Sequence, residues 1–260
     1  TWVPVTRLDF VKPGAFCGYM PSHHRAIAPK AYDPPLCWIP KRVDNSAGGQ
    51  AWASPQGWGP LSGRLFHLSY GQCRALLVLS EEVDGQAQGG VVSMPWKFSA
   101  GAMRGRVNPA DRRLYISGLK GWQTTSPRDG CFERVRYTGG KVYLPVALEV
   151  KKSGIRMTFS EPLDAESASS PDRYGVERWN YRWTKNYGSK DWLFSDPKKM
   201  GRDRMAVTGA KLSADGRSVF LELADLAPVM QMRIRYRLSS ADGNKVRGEV
   251  FHTIHKLGSD

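Results

Sequence analysis

Through almost every regular stretch of this 260-residue chain, apolar and polar residues alternate with a period of two, and the alternation is broken by Gly, Asp-Gly or Asn-Pro. A period of two is the spacing of a half-buried β-strand, and Asp-Gly supplies the positive φ that tight hairpins need. Arg74 to Val83 turns at Asp84-Gly85. Met205 to Leu212 turns at Ala214-Asp215-Gly216 into Ser218 to Leu223, and Gln231 to Leu238 turns at Asp242-Gly243-Asn244. Helical period is nearly absent, so the expected fold is all-β, built from short antiparallel strands.

The alternation also repeats at a longer distance. Ser46-Ala47-Gly48 recurs as Ser99-Ala100-Gly101, Arg64-Leu65-Phe66 as Arg113-Leu114-Tyr115, and Cys73 as Cys131, in the same order and about 50 residues apart. Repetition at that period in an all-β chain points to β-propeller blades. The first unit runs from Ser46 to about Trp96, with strands near Gly48–Ala53, Arg64–Tyr70, Cys73–Val83 and Gly89–Met94. The second has strands at Ala102–Val107, Leu114–Gly118 and Phe132–Tyr137, with a fourth at Val142–Pro145. Two or three blades leave open edges and cannot close a ring, so further blades are expected upstream. The alternative is a self-contained sandwich whose hairpins resemble one another by chance. Near Pro145 a fresh hairpin begins, and the remaining length suits one β-sandwich. The expected division is 1–145, terminal blades of a propeller, and 146–260, an Ig-like β-sandwich.

Composition narrows the partners. Lys and Arg number 38 against 24 Asp and Glu, a net charge of +14, which attracts nucleic acid, sulfated or uronic polysaccharide and anionic surfaces alike. The cations are dispersed and alternate with apolar residues, a pattern that also describes the solvated face of strands. No helix-turn-helix, finger or RNP-type pattern appears, so nucleic acid is not expected. There is no apolar run of membrane-spanning length, and any export signal is expected upstream. Cys17, Cys37, Cys73 and Cys131 lack CxxC and CxxCH spacing, which argues against structural zinc and c-type haem in this chain. If the protein is exported, Cys17 with Cys37 is the first disulfide to consider, against free buried thiols.

Several residues carry binding chemistry. Lys41 and Lys97 each stand shortly after a Pro (Pro40 and Pro95) in a connection leading into a repeat unit, where a cation meets either an acidic ligand or solvent. Arg104 and Arg106 lie two apart on one strand and share a face, suited to clamp a carboxylate or to pack against acids. Trp122 and Gln123, in the longest loop of the second unit, pair a ring with an amide as a sugar platform would, unless Trp122 is a wedge between blades. His67, in mid-strand, reads as packed. His23-His24 has no carboxylate at metal spacing, and Asp44-Asn45-Ser46 offers too few oxygens for Ca²⁺. The run Trp179-Asn180-Tyr181-Arg182-Trp183, with Tyr187 to Trp192 and Arg202, either stacks on sugars or docks the sandwich on the propeller. No complete acid/base constellation appears among these residues, so the catalytic residues are left unassigned, and no metal site is expected.

Further motifs carry a family resemblance. These are Trp58-Gly59-Pro60-Leu61-Ser62-Gly63, Phe66-His67-Leu68-Ser69-Tyr70-Gly71, Gln88-Gly89-Gly90, Met103-Arg104-Gly105-Arg106 and Gly118-Leu119-Lys120-Gly121-Trp122-Gln123. Over about Trp2 to Gly139 and beyond, the chain resembles the secreted propeller proteins of planctomycete- and verrucomicrobia-type bacteria, described as sorbosone dehydrogenase-like or membrane-bound-dehydrogenase-like. Thr158-Phe159-Ser160-Glu161-Pro162-Leu163-Asp164, with Asp215-Gly216 and Asp242-Gly243-Asn244, is similar to bacterial Ig-like domains. The resemblance implies a periplasmic or extracellular protein that oxidises a sugar with pyrroloquinoline quinone (PQQ) and Ca²⁺. It also implies a catalytic His in upstream blades and electron transfer to a haem-bearing cytochrome c domain elsewhere in the parent. The other expectation is a non-catalytic module that binds glycan or organises an assembly.

Overall fold

The computed structural model describes residues 4–18, 20–184 and 186–260. Its strands are β1 (Thr6–Leu8), β2 (Cys37–Ile39), β3 (Ala47–Trp52), β4 (Leu65–Ser69), β5 (Arg74–Val83), β6 (Gln86–Lys97), β7 (Gly101–Val107), β8 (Leu114–Leu119) and β9 (Gly130–Val135). They continue as β10 (Pro145–Val150), β11 (Gly154–Phe159), β12 (Tyr174–Asn180), β13 (Trp192–Leu193), β14 (Asp203–Met205), β15 (Val207–Leu212), β16 (Ser218–Leu223), β17 (Val229–Ser239) and β18 (Lys245–Ile254). The protein is all-β with several antiparallel sheets, as the alternation requires. The α1 turn, Ala165–Ala168, is one turn long, with Asp164 Oδ1 accepting from Ser167 N at 2.8 Å. Among the described residues no helix is long and apolar enough to cross a membrane.

β3 to β6 form an antiparallel meander in chain order, and the β5–β6 hairpin turns on Asp84 (φ 46°) and Gly85 (φ 74°). β7, β8 and β9 form a separate three-stranded sheet. The fourth strand expected for this unit at 142–145 does not form there. Leu144 is instead tied to Ser160 beyond the end of β11, its N–H donating to Ser160 Oγ (3.1 Å) and its carbonyl accepting from Ser160 N (2.9 Å). Pro145 then opens β10, which pairs with β11. Residues that periodicity alone assigns to β9's neighbour are captured by a sheet formed later in the chain.

The largest sheet has nine strands in the order β13-β12-β17-β18-β6-β5-β4-β3, with β14 also on β12. At its centre Val250 pairs with Val92 and His252 with Gly90, so strand pairing runs straight across the division expected at 145/146. A second, four-stranded sheet has the order β10-β11-β16-β15. Its buried Leu148, Ile155, Met157, Phe159, Val219 and Leu221 share one core with Leu77, Leu79, Val92, Met232, Ile234 and Val250 of the nine-stranded sheet. Burial of this size is the main stabilising term for such a sheet pair. A second core holds Cys37, Trp38 and Ile39 of β2 with Leu76, Val91, Trp179, Tyr181 and Phe251.

Two local features shape the surface. β3 and β7, the first strands of the two repeat units, approach so closely that a Cβ on Gly48 would overlap the Ala102 carbonyl. In addition, β6 and β18 pair only over 89–92 and 250–253. Beyond that, β6 carries Pro95, which has no N–H to offer a neighbour, and the β5 register shifts between Arg74 and Leu76. The two strands therefore part, leaving a groove between 93–96 of β6 and 247–249 of β18.

Candidate ligand groove

The mouth of this groove is a cleft of about 440 Å³ lined by Trp58, Met94, Pro95, Trp96, Arg136, Tyr137, Lys141, Tyr143, Leu144 and Arg247, among others. Trp58 is buried ahead of the short 3₁₀ turn Gly59–Leu61, and its Nε1–H donates to the Arg112 carbonyl at 2.7 Å. Trp96, on the outward end of β6, packs against Trp58 (centroids 6.2 Å apart) and Phe66 (5.1 Å), so a rigid aromatic wall backs the cleft.

The opposite lip is held by Asp242 in the β17–β18 turn. Its Oδ2 accepts from Lys141 Nζ at 2.7 Å and from Tyr143 Oη at 2.8 Å, and Asn244 Nδ2 donates to Tyr143 Oη at 2.9 Å. Hydrogen bonds from Lys141, Ser240, Asn244 and Tyr143 hold the Asp242 carboxyl well below the usual carboxylate range. The same carboxylate raises the pKa of Lys141, and desolvation together with Asp242 raises that of Tyr143. Arg136 and Arg247 complete the polar lining. Rings that offer faces, beside cations and hydroxyls that offer directional hydrogen bonds, can hold a polyhydroxylated ligand by stacking and donation.

The groove continues inward as a second cleft of about 420 Å³ that shares Met94, Pro95, Leu144 and Arg247 with the first and adds Arg42, Arg74, Tyr236, Gly248 and Glu249. Arg42 donates to Glu249 Oε2 at 3.0 Å and lies over the Phe251 ring, while Glu249 Oε1 also accepts from Arg233 at 3.4 Å.

The residues singled out in the sequence are scattered around this centre. Lys97 is exposed at the end of β6, opposite Arg74 in register, but does not line the groove. Arg104 and Arg106 do share the outer face of β7, with Gly105 buried between them. Each guanidinium bonds the carbonyl of the residue before it, at 2.8 and 2.7 Å, and they form no common clamp. Trp122 is 81 % exposed, so it is not a wedge between packed sheets. Gln123 takes φ 58°, and its carbonyl accepts from Asn45 Nδ2 at 2.9 Å. Lys41 lines a different cleft of about 320 Å³ with Thr6, Arg7, Asp44, Asn45 and Tyr187, and its ammonium lies 5.6 Å from the Tyr187 ring centre.

Behind that cleft lies a buried polar cluster. His67 Nε2–H donates to Asp44 Oδ2 at 2.7 Å, and Asp44 Oδ1 accepts from Ser69 Oγ at 2.6 Å and Ser46 N at 3.2 Å. His67 Nδ1 then accepts from Gln50 Nε2 at 3.3 Å. With side-chain exposures of 1 % and 0 %, His67 and Asp44 are closed to solvent and hold the 40–46 loop on β4. This agrees with reading His67 as a packed residue.

The aromatic run of β12 likewise turns inward. Trp179 and Tyr181 are buried, and Trp183 Nε1–H donates to Tyr32 Oη at 2.6 Å. Arg202 lies over Trp179 and Arg182 over Trp192. These rings dock the strand on the N-terminal segment. All four cysteines are free, so the Cys17–Cys37 disulfide is not present. Burial pushes the Cys37 thiol up to about 12 and raises Cys17 as well.

The quinone and Ca²⁺ implied by the resemblance do not fit the described residues. The Asp44 carboxylate is taken by His67, Ser69 and Ser46, Arg104 and Arg106 lie on an open strand face, and among the described residues no three His, Cys, Asp or Glu converge as a metal would need.

Trp96, Tyr137, Tyr143, Arg74, Tyr236 and Arg247 were not legible as a group. They come from β5, β6, the segment after β9, β17 and β18, and the groove exists only because two distant strands part. Pro95 inside an alternating run was the one local signal. Comparison with protein-family models, curated proteins and solved structures finds no match for this chain.

Proposed function

We propose that this chain is a non-catalytic glycan-binding module of an exported protein. The single observation behind this reading is the placement of Trp96, Tyr137 and Tyr143 with Arg136, Lys141 and Arg247 around one cleft. Aromatic faces beside directional donors suit the alternating apolar and hydroxylated faces of a sugar chain. Calorimetric titration with neutral and acidic oligosaccharides tests it. Saturable binding that Tyr137→Ala weakens about tenfold, equivalent to ~1.4 kcal/mol, while the melting temperature stays within a few degrees, supports the reading. Absence of binding across the panel, or weakening only in proportion to lost stability, removes it.

A second reading keeps the chain within a sugar dehydrogenase-like propeller, with PQQ and Ca²⁺ in upstream blades and a cytochrome c haem domain as electron acceptor. What favours it is the β3–β6 meander followed by β7–β9, with the first strands of the two units touching at Gly48 and Ala102, as consecutive blades would. In that reading residues 146–260 are the Ig-like sandwich. Dye-linked sugar oxidation by the longer parent, reconstituted with PQQ and Ca²⁺, is the result that would favour it over the binding module.

A further inference from the structure

We propose that the inner continuation of the groove, between β6 and β18, is an anion subsite that takes the carboxylate or sulfate group of an acidic sugar through Arg74, Arg247 and the Tyr236 hydroxyl. The inference rests on the glycan-binding reading and deepens it by naming the ligand class.

Three observations carry it. First, the cations are not balanced. Arg42, Arg74 and Arg247 line this part of the groove with one acid, Glu249, which is already shared by Arg42 and Arg233. Arg74 and Arg247 have no carboxylate partner among the described residues, and Lys97 stands opposite Arg74 in register, adding to the positive field.

Second, two buried polar atoms on the lining residues are unsatisfied: Arg74 Nε and Tyr236 Oη have no hydrogen-bond partner among the described residues. A buried donor without an acceptor is costly, and both are donors, the complement of a ligand made of oxygen lone pairs.

Third, the Tyr236 hydroxyl occupies the place where a side chain at 248 would stand. Tyr236 pairs with Gly248, both line the cleft, and a Cβ at Gly248 would overlap the Tyr236 hydroxyl. The absence of a side chain at 248 is what leaves the phenol's end beside the groove. A guanidinium fork with a phenolic donor is a strong arrangement for a carboxylate or sulfate, because charge-assisted bonds are shorter and stronger than neutral ones.

The same Arg247 belongs to the outer cleft, so a sugar stacked at Trp96 and Tyr143 would have its acidic substituent directed inward. Neutral sugar would engage the outer cleft alone.

The experiment titrates the intact chain with three oligosaccharides of equal length: a neutral one, an oligogalacturonate, and a sulfated derivative of the neutral one. At least tenfold tighter binding of one or both acidic ligands is expected, and which of the two shows it identifies the carboxylate or the sulfate as the preferred group. Arg74→Gln should bring the acidic ligand down to the neutral ligand's affinity while leaving neutral binding within twofold. Tyr236→Phe, which keeps the buried ring, should weaken only the acidic ligand, by roughly threefold to tenfold. Equal affinity for neutral and acidic ligands, or parallel loss of both in Arg74→Gln, overturns the subsite. If no sugar binds, the glycan reading fails by itself. The subsite is then decided by sodium sulfate against sodium chloride at matched ionic strength: a sulfate-specific rise in melting temperature that Arg74→Gln abolishes sustains it, and an unchanged rise overturns it.

Discussion

Arg237 of β17 and Arg247 of β18 are direct cross-strand partners, both exposed, and neither guanidinium reaches a carboxylate among the described residues. Arg173 and Lys245 line the same cleft of about 500 Å³. Like charges directly opposite on an antiparallel pair are destabilising, so this face is held together by the core beneath it, where Tyr236, Leu238 and Val246 are buried.

Reversing one of the two charges should therefore stabilise the protein. Arg237→Glu replaces repulsion by an ion pair with Arg247 and is expected to add about 0.5 kcal/mol, or ~1–2 °C in melting temperature. The gain should shrink as salt screens the pair. A thermal scan in low and high salt checks both statements, and a lower melting temperature in low salt would contradict the repulsion.

His252 gives stability a pH dependence. It is fully buried at the centre of the sheet, both ring nitrogens lack a partner among the described residues, and burial, with a smaller contribution from His255, lowers its pKa to about 3 from 6.5. Because the folded pKa is depressed, the unfolded chain binds a proton below pH 6.5 that the folded chain refuses until about pH 3. Stability from this group is complete above pH 6.5 and falls toward pH 3 by ~1.4 kcal/mol per unit. His255, lowered by its own burial, adds in the same direction, whereas Glu81, raised chiefly by desolvation, acts oppositely above pH 4.5. Comparing His252→Leu with the parent by denaturant midpoints from pH 7 to pH 4 isolates the one term. The variant should show the shallower loss, and identical slopes would assign the dependence elsewhere.

Asp44 serves as a buried acceptor for three donors, His67, Ser69 and the Ser46 backbone. Asp44→Ala leaves them unsatisfied and should cost about 3 kcal/mol. Neutral-sugar binding at the outer cleft, which no residue of the 40–46 loop lines, should be unchanged once the variant is folded. Chemical denaturation with calorimetry separates the two effects, and loss of binding without loss of stability would move the site toward the Lys41 cleft.

Residues 1–145 and 146–260 should not unfold independently. β6 pairs with β18 at the centre of one sheet, and Glu81 of β5 accepts from Val150 N of β10 at 3.0 Å. Expressed alone, 146–260 would expose one side of β18 and the apolar residues that meet Leu77, Val91 and Val92. Dye binding and a non-cooperative melt are expected, and a cooperative melt at the parent's temperature would show that the boundary is a real one.

Local chemistry was legible in proportion to how local its causes are. The alternation of Arg74 to Val83 and the Asp84-Gly85 turn placed β5, β6 and their hairpin within a few residues. The repeat placed β7, β8 and β9 nearly as well, because adjacent antiparallel strands need only a turn and a period of two. The fourth strand at 142–145 failed because Ser160, from a later hairpin, competes for Leu144. The site residues fared less well for the same reason. Arg104 and Arg106 were correctly placed on one face, but a shared face is not a shared ligand, and their nearest acceptors turned out to be their own backbone carbonyls.

By itself, the sequence determined that the chain is all-β, where most of its strands lie, and that His67 is packed, since each follows from spacing along a few residues. Only the tertiary structure decided which strands become neighbours across 160 residues, and so where β6 and β18 part. A binding groove is a property of that parting. Its residues are brought together by the burial of two cores and by the missing N–H of Pro95, and neither leaves a periodic mark on the chain.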